Sequence, residues 1–127
     1  MAKEYQPKTK KYSLPHNVYM QMVYMVRDYE RMKAEYKSLL DETPPPFKDS
    51  DGLAVDPTAE KAIRREDLYR RLKAVESGLA SIPEEYRPSI YNNVVYRIRY
   101  DDRYTSYRTY GYHKAKMMWT IAHELRM

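Results

Sequence analysis

Residues 96–125 read YRIRYDDRYTSYRTYGYHKAKMMWTIAHEL, and this stretch decides how the fold is interpreted. Its first part mixes tyrosines with basic residues, and its second part has apolar residues at helical spacing. The pattern predicts a helix from Thr109 to Leu125, with Thr109 as its N-terminal cap. Small and apolar residues form the stripe that would face a core: Gly111, Ala115, Met118, Ala122 and Leu125.

A second helix is predicted just upstream, from Pro83 to about Tyr96, because proline suits the first helical position. Residues 97–108 between the two are predicted as a short helix or an irregular turn, in preference to a strand that would lack a partner. A turn followed by a basic, tyrosine-rich helix is typical of a helix-turn-helix. We therefore predict that residues 83–127 are a helix-turn-helix DNA-binding unit.

Ten residues of this unit are candidates for DNA contacts, because cationic side chains neutralise phosphates and side chains near the start of a recognition helix reach base edges. The candidates for phosphate contacts are Arg97, Arg99, Arg103 and Lys114. The candidates for base contacts are Arg108, Thr109, Tyr110, Tyr112, His113 and Lys116. The alternative interpretation is that the tyrosines are half-buried packing residues and that the basic residues form an ordinary solvated face.

Residues 13–82 are predicted to form a long antiparallel helical hairpin. One helix begins near Pro15 and ends at residues 40–42, before a triple proline, and the other runs from Pro57 to Pro83. Both carry an apolar seam that steps by four and three. The seams are Val18, Met22, Met25, Tyr29, Met32, Tyr36 and Leu39, and Leu68, Leu72, Val75, Leu79 and Ile82. Further apolar side chains beside the seams must be covered by the C-terminal part of the chain or by a second chain, and we predict a homodimer.

The chain has the length of one domain, 127 residues, and the fold class predicted is all-α. Its net charge of +5 is unevenly spread, since residues 1–12 and 86–127 are basic and the middle is mildly acidic. Residues 1–12 hold no apolar period and are predicted to be a basic flexible arm. Basic ends favour a polyanion such as double-stranded DNA as the partner.

Several other functions are disfavoured by the sequence. Cysteine is absent, and His16, His113 and His123 lack metal-ligand spacing, so neither a metal nor a cofactor is expected. The three glycines form no phosphate-binding loop, and no pair of carboxylates is placed for acid–base catalysis, so an enzyme is not expected. No apolar run approaches membrane-spanning length and no secretory signal is evident, which favours a cytoplasmic protein without a membrane partner.

Three segments carry a resemblance to a known family: YSLPHNVYMQMVYMVRDYERMK at 12–33, DPTAEKAIRREDLYRRLKAVESGLASIPEEYR at 56–87 and TYGYHKAKMMWTIAHEL at 109–125. They resemble the RinA/ArpU-type phage transcriptional regulators of Gram-positive bacteria. The resemblance implies a helix-turn-helix similar to the sigma-factor region that reads the promoter −35 element. It implies sequence-specific regulation of phage or prophage genes inside the bacterial host cell, with RNA polymerase as a further partner.

Two alternative functions remain open from the sequence. The first is a phage structural or assembly protein that uses the helical hairpin as its interface and has no affinity for DNA. The second is a DNA-packaging adaptor similar to small terminase subunits, which would form rings. The hairpin precedes the DNA-binding unit, and this order makes the packaging adaptor the less favoured of the two.

Overall fold

The structure is a computed structural model, and it describes residues 5–41, 57–100, 103 and 105–127. Within these residues the chain is helical and has no strand, which confirms the predicted all-α class. The helices are α1 (His16–Arg27), α2 (Tyr29–Asp41), α3 (Pro57–Ala80), α4 (Arg87–Tyr96) and α5 (Tyr107–Glu124), with a 3₁₀ turn at Glu84–Tyr86. None of the described helices has both the length and the apolar character that crossing a membrane requires. The predicted proline loop lies outside the described residues.

The first predicted helix is two helices in the structure, divided at Asp28. The Asp28 backbone N–H donates to the carbonyls of both Tyr24 and Met25, at 3.0 and 3.1 Å, so the last turn of α1 tightens. The Asp28 carbonyl accepts from Met32 N–H at 2.9 Å, which restarts the helical pattern at once. This break lets α1 contact α4 and α5, whereas α2 packs on α3.

Helices α2 and α3 run antiparallel. Near one end of the pair the Tyr29 hydroxyl donates to Glu76 at 2.9 Å. Further along, Arg64 Nε lies 2.7 Å from Glu35 Oε2. The residue numbers rise along one helix as they fall along the other, so an antiparallel pair does form, but it includes only the second half of the first predicted helix.

Helix α5 lies at the centre of the molecule, because it packs extensively on α3 and also contacts α1 and α4. Its buried residues are Tyr110, Lys114, Ala115, Met117, Met118, Ile121 and Ala122. The core that they join also includes Tyr19, Met22, Val26, Leu68, Val75, Ile82, Ile90 and Val94. A single hydrophobic core therefore contains residues from both predicted segments, 13–82 and 83–127.

Helix α5 starts earlier than the sequence predicted. Its N-terminal cap is Ser106, whose hydroxyl accepts the Thr109 backbone N–H at 3.3 Å. Thr109 is therefore in the first turn and is not the cap, which corrects the prediction. The connection from α4 covers residues 97–106, whereas the turn of a helix-turn-helix has roughly three or four residues.

Gly78 sets the separation of α3 and α5. A Cβ atom added there would lie 2.5 Å from Ile121 Cγ1 and 2.9 Å from the Met117 carbonyl oxygen. Both distances are shorter than van der Waals contact, and the carbonyl belongs to a helix backbone that cannot move alone. Only a residue without a side chain fits this closest approach.

We expect Gly78→Ala to lower the thermal stability, and Gly78→Val to lower it further. Alanine gains about 1 kcal/mol of helix propensity, but overpacking a core typically costs about 1–3 kcal/mol. Thermal unfolding followed by circular dichroism measures the balance. A Tm for Gly78→Ala equal to or above that of the wild type would contradict the close approach of the two helices.

Candidate nucleic-acid interface

Residues 5–14 lie against the helical core, although the sequence predicted residues 1–12 to be a flexible arm. Gln6 closes this segment into a loop, since its amide donates to the Leu14 carbonyl and accepts from the Leu14 N–H, both at 2.8 Å. Tyr12 and Leu14 are buried, with 6% and 9% of their surface exposed. Residues 5–12 of the predicted arm thus contact the helical core in the structure, whereas residues 1–4 lie outside the description.

Tyr12 anchors this segment on α5 through aromatic contacts. Its ring meets Tyr112 edge-on, with centroids 5.5 Å apart, and meets Trp119 in the same way at 5.3 Å. Pro7 gives a second contact, because a Cβ added at Gly111 would lie 3.3 Å from the Pro7 Cβ. The N-terminal segment therefore runs beside α5 from Gly111 to Trp119.

This docking joins the two basic ends of the chain. Lys8, Lys10 and Lys11 are exposed on the docked segment. The pKa of Tyr12 is lowered because its hydroxyl is hydrogen-bonded by Tyr112 and because the ammonium groups of Lys11 and Lys116 lie nearby. Lysines that are about a hundred positions apart in sequence thus act on one hydroxyl, and their positive charges share one surface.

Eight of the ten predicted DNA-contact residues reach the surface at least in part. Arg97, Arg99, Arg103, Arg108 and Tyr112 are exposed, and Thr109, His113 and Lys116 are partly exposed. Tyr110 and Lys114 are buried, and these two residues and His113 make packing contacts within the protein.

Tyr110 is buried, so the structure corrects its prediction as a base-contacting residue. Its ring stacks on Tyr100 with centroids 4.7 Å apart and planes 8° apart. Tyr86 meets the same ring edge-on at 5.4 Å. Tyr110 therefore fixes the α4–α5 connection to the body of the protein and has no face left for DNA.

Lys114 is also buried, with 6% of its surface exposed, which corrects its prediction as a phosphate contact. Its Nζ donates to Asn93 Oδ1 at 3.0 Å, and Asn93 Nδ2 donates to the Ile98 carbonyl at 3.0 Å. A buried ammonium group needs such partners, because burying an uncompensated charge is very costly. The lysine thereby holds the residues that follow α4.

His113 is half-buried and stacks on Tyr86, with centroids 4.6 Å apart. Its Nδ1 is buried and has no hydrogen-bond partner among the described residues. Burial lowers the pKa of His113, and the nearby Lys116 lowers it further. The ring is therefore neutral at pH 7 and adds no positive charge to the surface.

The start of the α4–α5 connection has an unusual backbone. Arg97 has a φ of 59°, in the left-handed region that glycine prefers, and such a conformation costs other residues about 1–3 kcal/mol. Arg99 follows, and its guanidinium donates to the Tyr107 hydroxyl at 3.1 Å. The connection therefore presents arginines whose backbone positions are fixed.

The sequence interpretation missed Tyr12 and Asn93. Tyr12 is the only ring between Lys8 and Ser13, in a segment that is otherwise polar, and that contrast was the available signal. Asn93 has no comparable signal, because its role depends on the buried Lys114.

No group of three or more His, Cys, Asp or Glu residues in the described part of the chain is arranged to hold a metal ion. A cavity of about 390 Å³ lies between α1, α3 and the C-terminal residues, with Met25, Met32 and Leu125 beside Arg70 and Arg71.

Comparison of the chain with family models, with curated proteins and with solved structures finds no match.

We expect Tyr12→Ala to release the N-terminal segment from α5. Trp119 is the single tryptophan, so its fluorescence should shift to the red as water replaces the Tyr12 ring. Tyr5→Ala is the matched control, because the Tyr5 side chain is exposed and only its carbonyl is used, by the Tyr19 hydroxyl. Identical spectra for Tyr12→Ala and the wild type would contradict the docking.

Proposed function

We propose that this protein binds double-stranded DNA, without catalysis, through the docked N-terminal segment and the exposed side of the first half of α5. We call this the basic surface, and it is formed by Lys8, Lys10, Lys11, Arg108, Tyr112 and Lys116. The observation that carries the proposal is the anchoring of Tyr12 on Tyr112 and Trp119, which places the N-terminal lysines beside α5. Clustered cations bind polyanions by releasing condensed counterions.

The charge of the neighbouring sequence supports a polyanion. Residues 5–14 contain no acidic residue, and neither do residues 103–123. By contrast, Arg31 of α2 and Arg64 and Arg71 of α3 form ion pairs with carboxylates. Carboxylates therefore offset part of the positive charge on the α2–α3 face, whereas the stretches that form the basic surface contain none, which favours phosphates as the ligand.

The position of α5 limits how DNA can be held. A recognition helix presents its base-reading side chains to the major groove, whereas α5 is packed on α3, α1 and α4 and is flanked by residues 5–14. Its first turns expose Arg108 and Tyr112 and partly expose Thr109. We therefore propose that base contacts come from these first turns and that the lysines of the N-terminal segment hold phosphates.

The biological role that we propose is regulation of transcription of phage or prophage genes. It is supported by the sequence resemblance to the RinA/ArpU-type regulators, in which DNA binding would be linked to contact with RNA polymerase. The alternative function, in phage assembly, requires no affinity for DNA, so measuring DNA binding separates the two.

We expect the triple variant Lys8→Gln, Lys10→Gln, Lys11→Gln to bind duplex DNA more weakly and with less dependence on salt. Each lost phosphate contact lowers the slope of log K against log salt concentration by about 0.9. Fluorescence anisotropy of a labelled duplex, titrated at several salt concentrations, measures both quantities.

The matched control replaces Lys33, Lys37 and Lys73 by glutamine, because these exposed lysines lie on α2 and α3 and the change in net charge is the same. Equal losses in the two triple variants would show that only the net charge matters, and would count against a defined surface. Absence of binding by the wild type at low salt would remove DNA as the ligand and leave the assembly function.

We also propose that the protein is a homodimer that uses the outer ends of α2 and α3. Ile63 is 71% exposed, and Leu40 and Tyr69 are 44% and 45% exposed on the same helix pair. A second copy packed on this pair would bury more of the surface of these apolar side chains. A dimer would also present two basic surfaces to paired DNA half-sites.

Light scattering coupled to size-exclusion chromatography tests the dimer. We expect Ile63→Glu combined with Tyr69→Glu to shift the mass from dimer toward monomer, because a buried unpaired charge opposes association. Glu66→Gln, on the same helix, is the control and should leave the mass unchanged. A monomeric wild type, or a dimer that resists the double change, would contradict this interface.

A further inference from the structure

The residues that follow α4 form a corner whose central side chain is apolar and exposed. Ile98 is 53% exposed, and the residues on either side of it, Arg97 and Arg99, are exposed as well. An isolated exposed isoleucine is ordinary on a protein surface. Here the isoleucine lies between two arginines, and hydrogen bonds fix the backbone on which it stands.

The backbone of this corner is fixed by named contacts. The N–H groups of Arg97 and Ile98 both point to the Asn92 carbonyl, at 3.3 Å for Ile98. The Ile98 carbonyl accepts from Asn93 Nδ2 at 3.0 Å, and Asn93 is itself held by the buried Lys114.

Helix α4 is held in turn from the other side, since Arg27 Nε donates to the Val94 carbonyl at 2.8 Å. Both polar backbone groups of Ile98 are therefore engaged by the protein, while its side chain points into solvent. The corner is pre-organised, and a bound partner would not have to order it.

The positive charge around the corner favours a polyanion as its partner. Residues 96–108 hold four arginines against two aspartates and are net positive. Arg99 bonds to Tyr107, which directly precedes Arg108 of the basic surface. The corner therefore adjoins the surface that we propose for phosphates, at the N-terminal end of α5.

We propose that this corner enters the minor groove of double-stranded DNA and that Ile98 inserts as a wedge between two stacked base pairs. The inference rests on the proposed function, since it requires a protein that binds duplex DNA. Apolar wedges flanked by basic residues kink DNA by partly unstacking one base step. Arg97 and Arg99 hold the phosphates or the floor of the groove on the two sides of that step.

The shape of the corner favours the minor groove. The minor groove is about 6 Å wide and the major groove about 12 Å, so a narrow turn fits the first and a helix the second. The corner offers single side chains on a turn, whereas α5 is largely covered by its neighbours. Flexible, A·T-containing pyrimidine–purine steps are the sequences that yield most easily to such a wedge.

The test uses the full chain and a duplex of about 20 base pairs with a fluorescent donor and acceptor at its ends. A central TA step carries 2-aminopurine, whose fluorescence rises when it is unstacked. We expect the wild type to bring the ends closer and to raise the 2-aminopurine signal. Ile98→Ala should lose most of both effects and keep the wild-type salt slope, because the phosphate contacts remain.

Two further variants make the result specific. Ile98→Leu should restore both signals, because leucine also provides an apolar wedge. Met127→Ala removes a comparably exposed apolar side chain, 49% against 53% for Ile98, beyond the C-terminal end of α5 and outside the basic surface and the proposed dimer interface, and should leave both signals unchanged. Thermal unfolding of each variant confirms that the fold is intact, as expected for side chains that are mostly exposed.

The outcomes separate the two proposals. Bending and unstacking that are lost in Ile98→Ala and retained in Ile98→Leu support the wedge. Binding without bending, or bending that Ile98→Ala leaves intact, overturns the wedge and leaves the DNA-binding function standing; the corner would then fit a protein partner. Absence of any binding at low salt overturns both.

Discussion

The close packing of α3 on α5 at Gly78 is the constraint on which the rest of this structure depends. A side chain at position 78 would overlap the Ile121 side chain and the Met117 carbonyl. At this position the backbone of α3 therefore lies directly against α5. Because α5 is held there, its other faces are available to α1 and α4 on one side and to residues 5–14 on the other. The last helix in the sequence is thus the one around which the earlier elements are arranged.

A series of hydrogen bonds connects the buried part of α5 to the surface residues that follow α4. It begins at Lys114, inside α5, passes through Asn93 of α4 and ends at the Ile98 carbonyl. Each partner is required by the one before it, since a buried ammonium group without an acceptor would be costly and Asn93 would lose its orientation. The stacking of Tyr100 on Tyr110 fixes the same connection at a second point. A long connection between helices is thereby fastened at its start.

The helices themselves were largely predictable, because prolines and apolar periods mark them locally. Pro57 does begin α3, and α4 does end at Tyr96. The seam residues Met22, Leu68 and Val75 are buried, as their spacing predicted. Spacing shows which face of a helix turns inward but not which helix will cover it. The apolar seam therefore predicts that α1 pairs with α3, whereas α1 packs mainly on α4 and α5 and touches α3 less.

The candidate site was less predictable, for the same physical reason. Lys114 and Lys116 are both basic residues in one stretch, yet Lys114 is buried and bonds to Asn93 of α4, whereas Lys116 reaches solvent. Tyr110 and Tyr112 are separated in the same way by the rings that pack on Tyr110. Composition correctly indicates that cations and tyrosines gather near the C-terminal part, but their assignment to core or surface requires the tertiary contacts.

The centrality of α5 has a functional consequence. A helix that packs on three other helices can offer DNA only the side that those neighbours leave exposed. In the proposed mode of binding, contacts with DNA come from the exposed first turns of α5 and from the elements that surround it. The docked lysines of residues 5–14 and the arginine corner after α4 are both fastened to that helix, by Tyr12 on Tyr112 and by Asn93 on Lys114. In the proposed mode of binding, α5 sets the distance and orientation between these two peripheral contacts. Specificity would then arise from that spacing and from the deformation of the DNA between them.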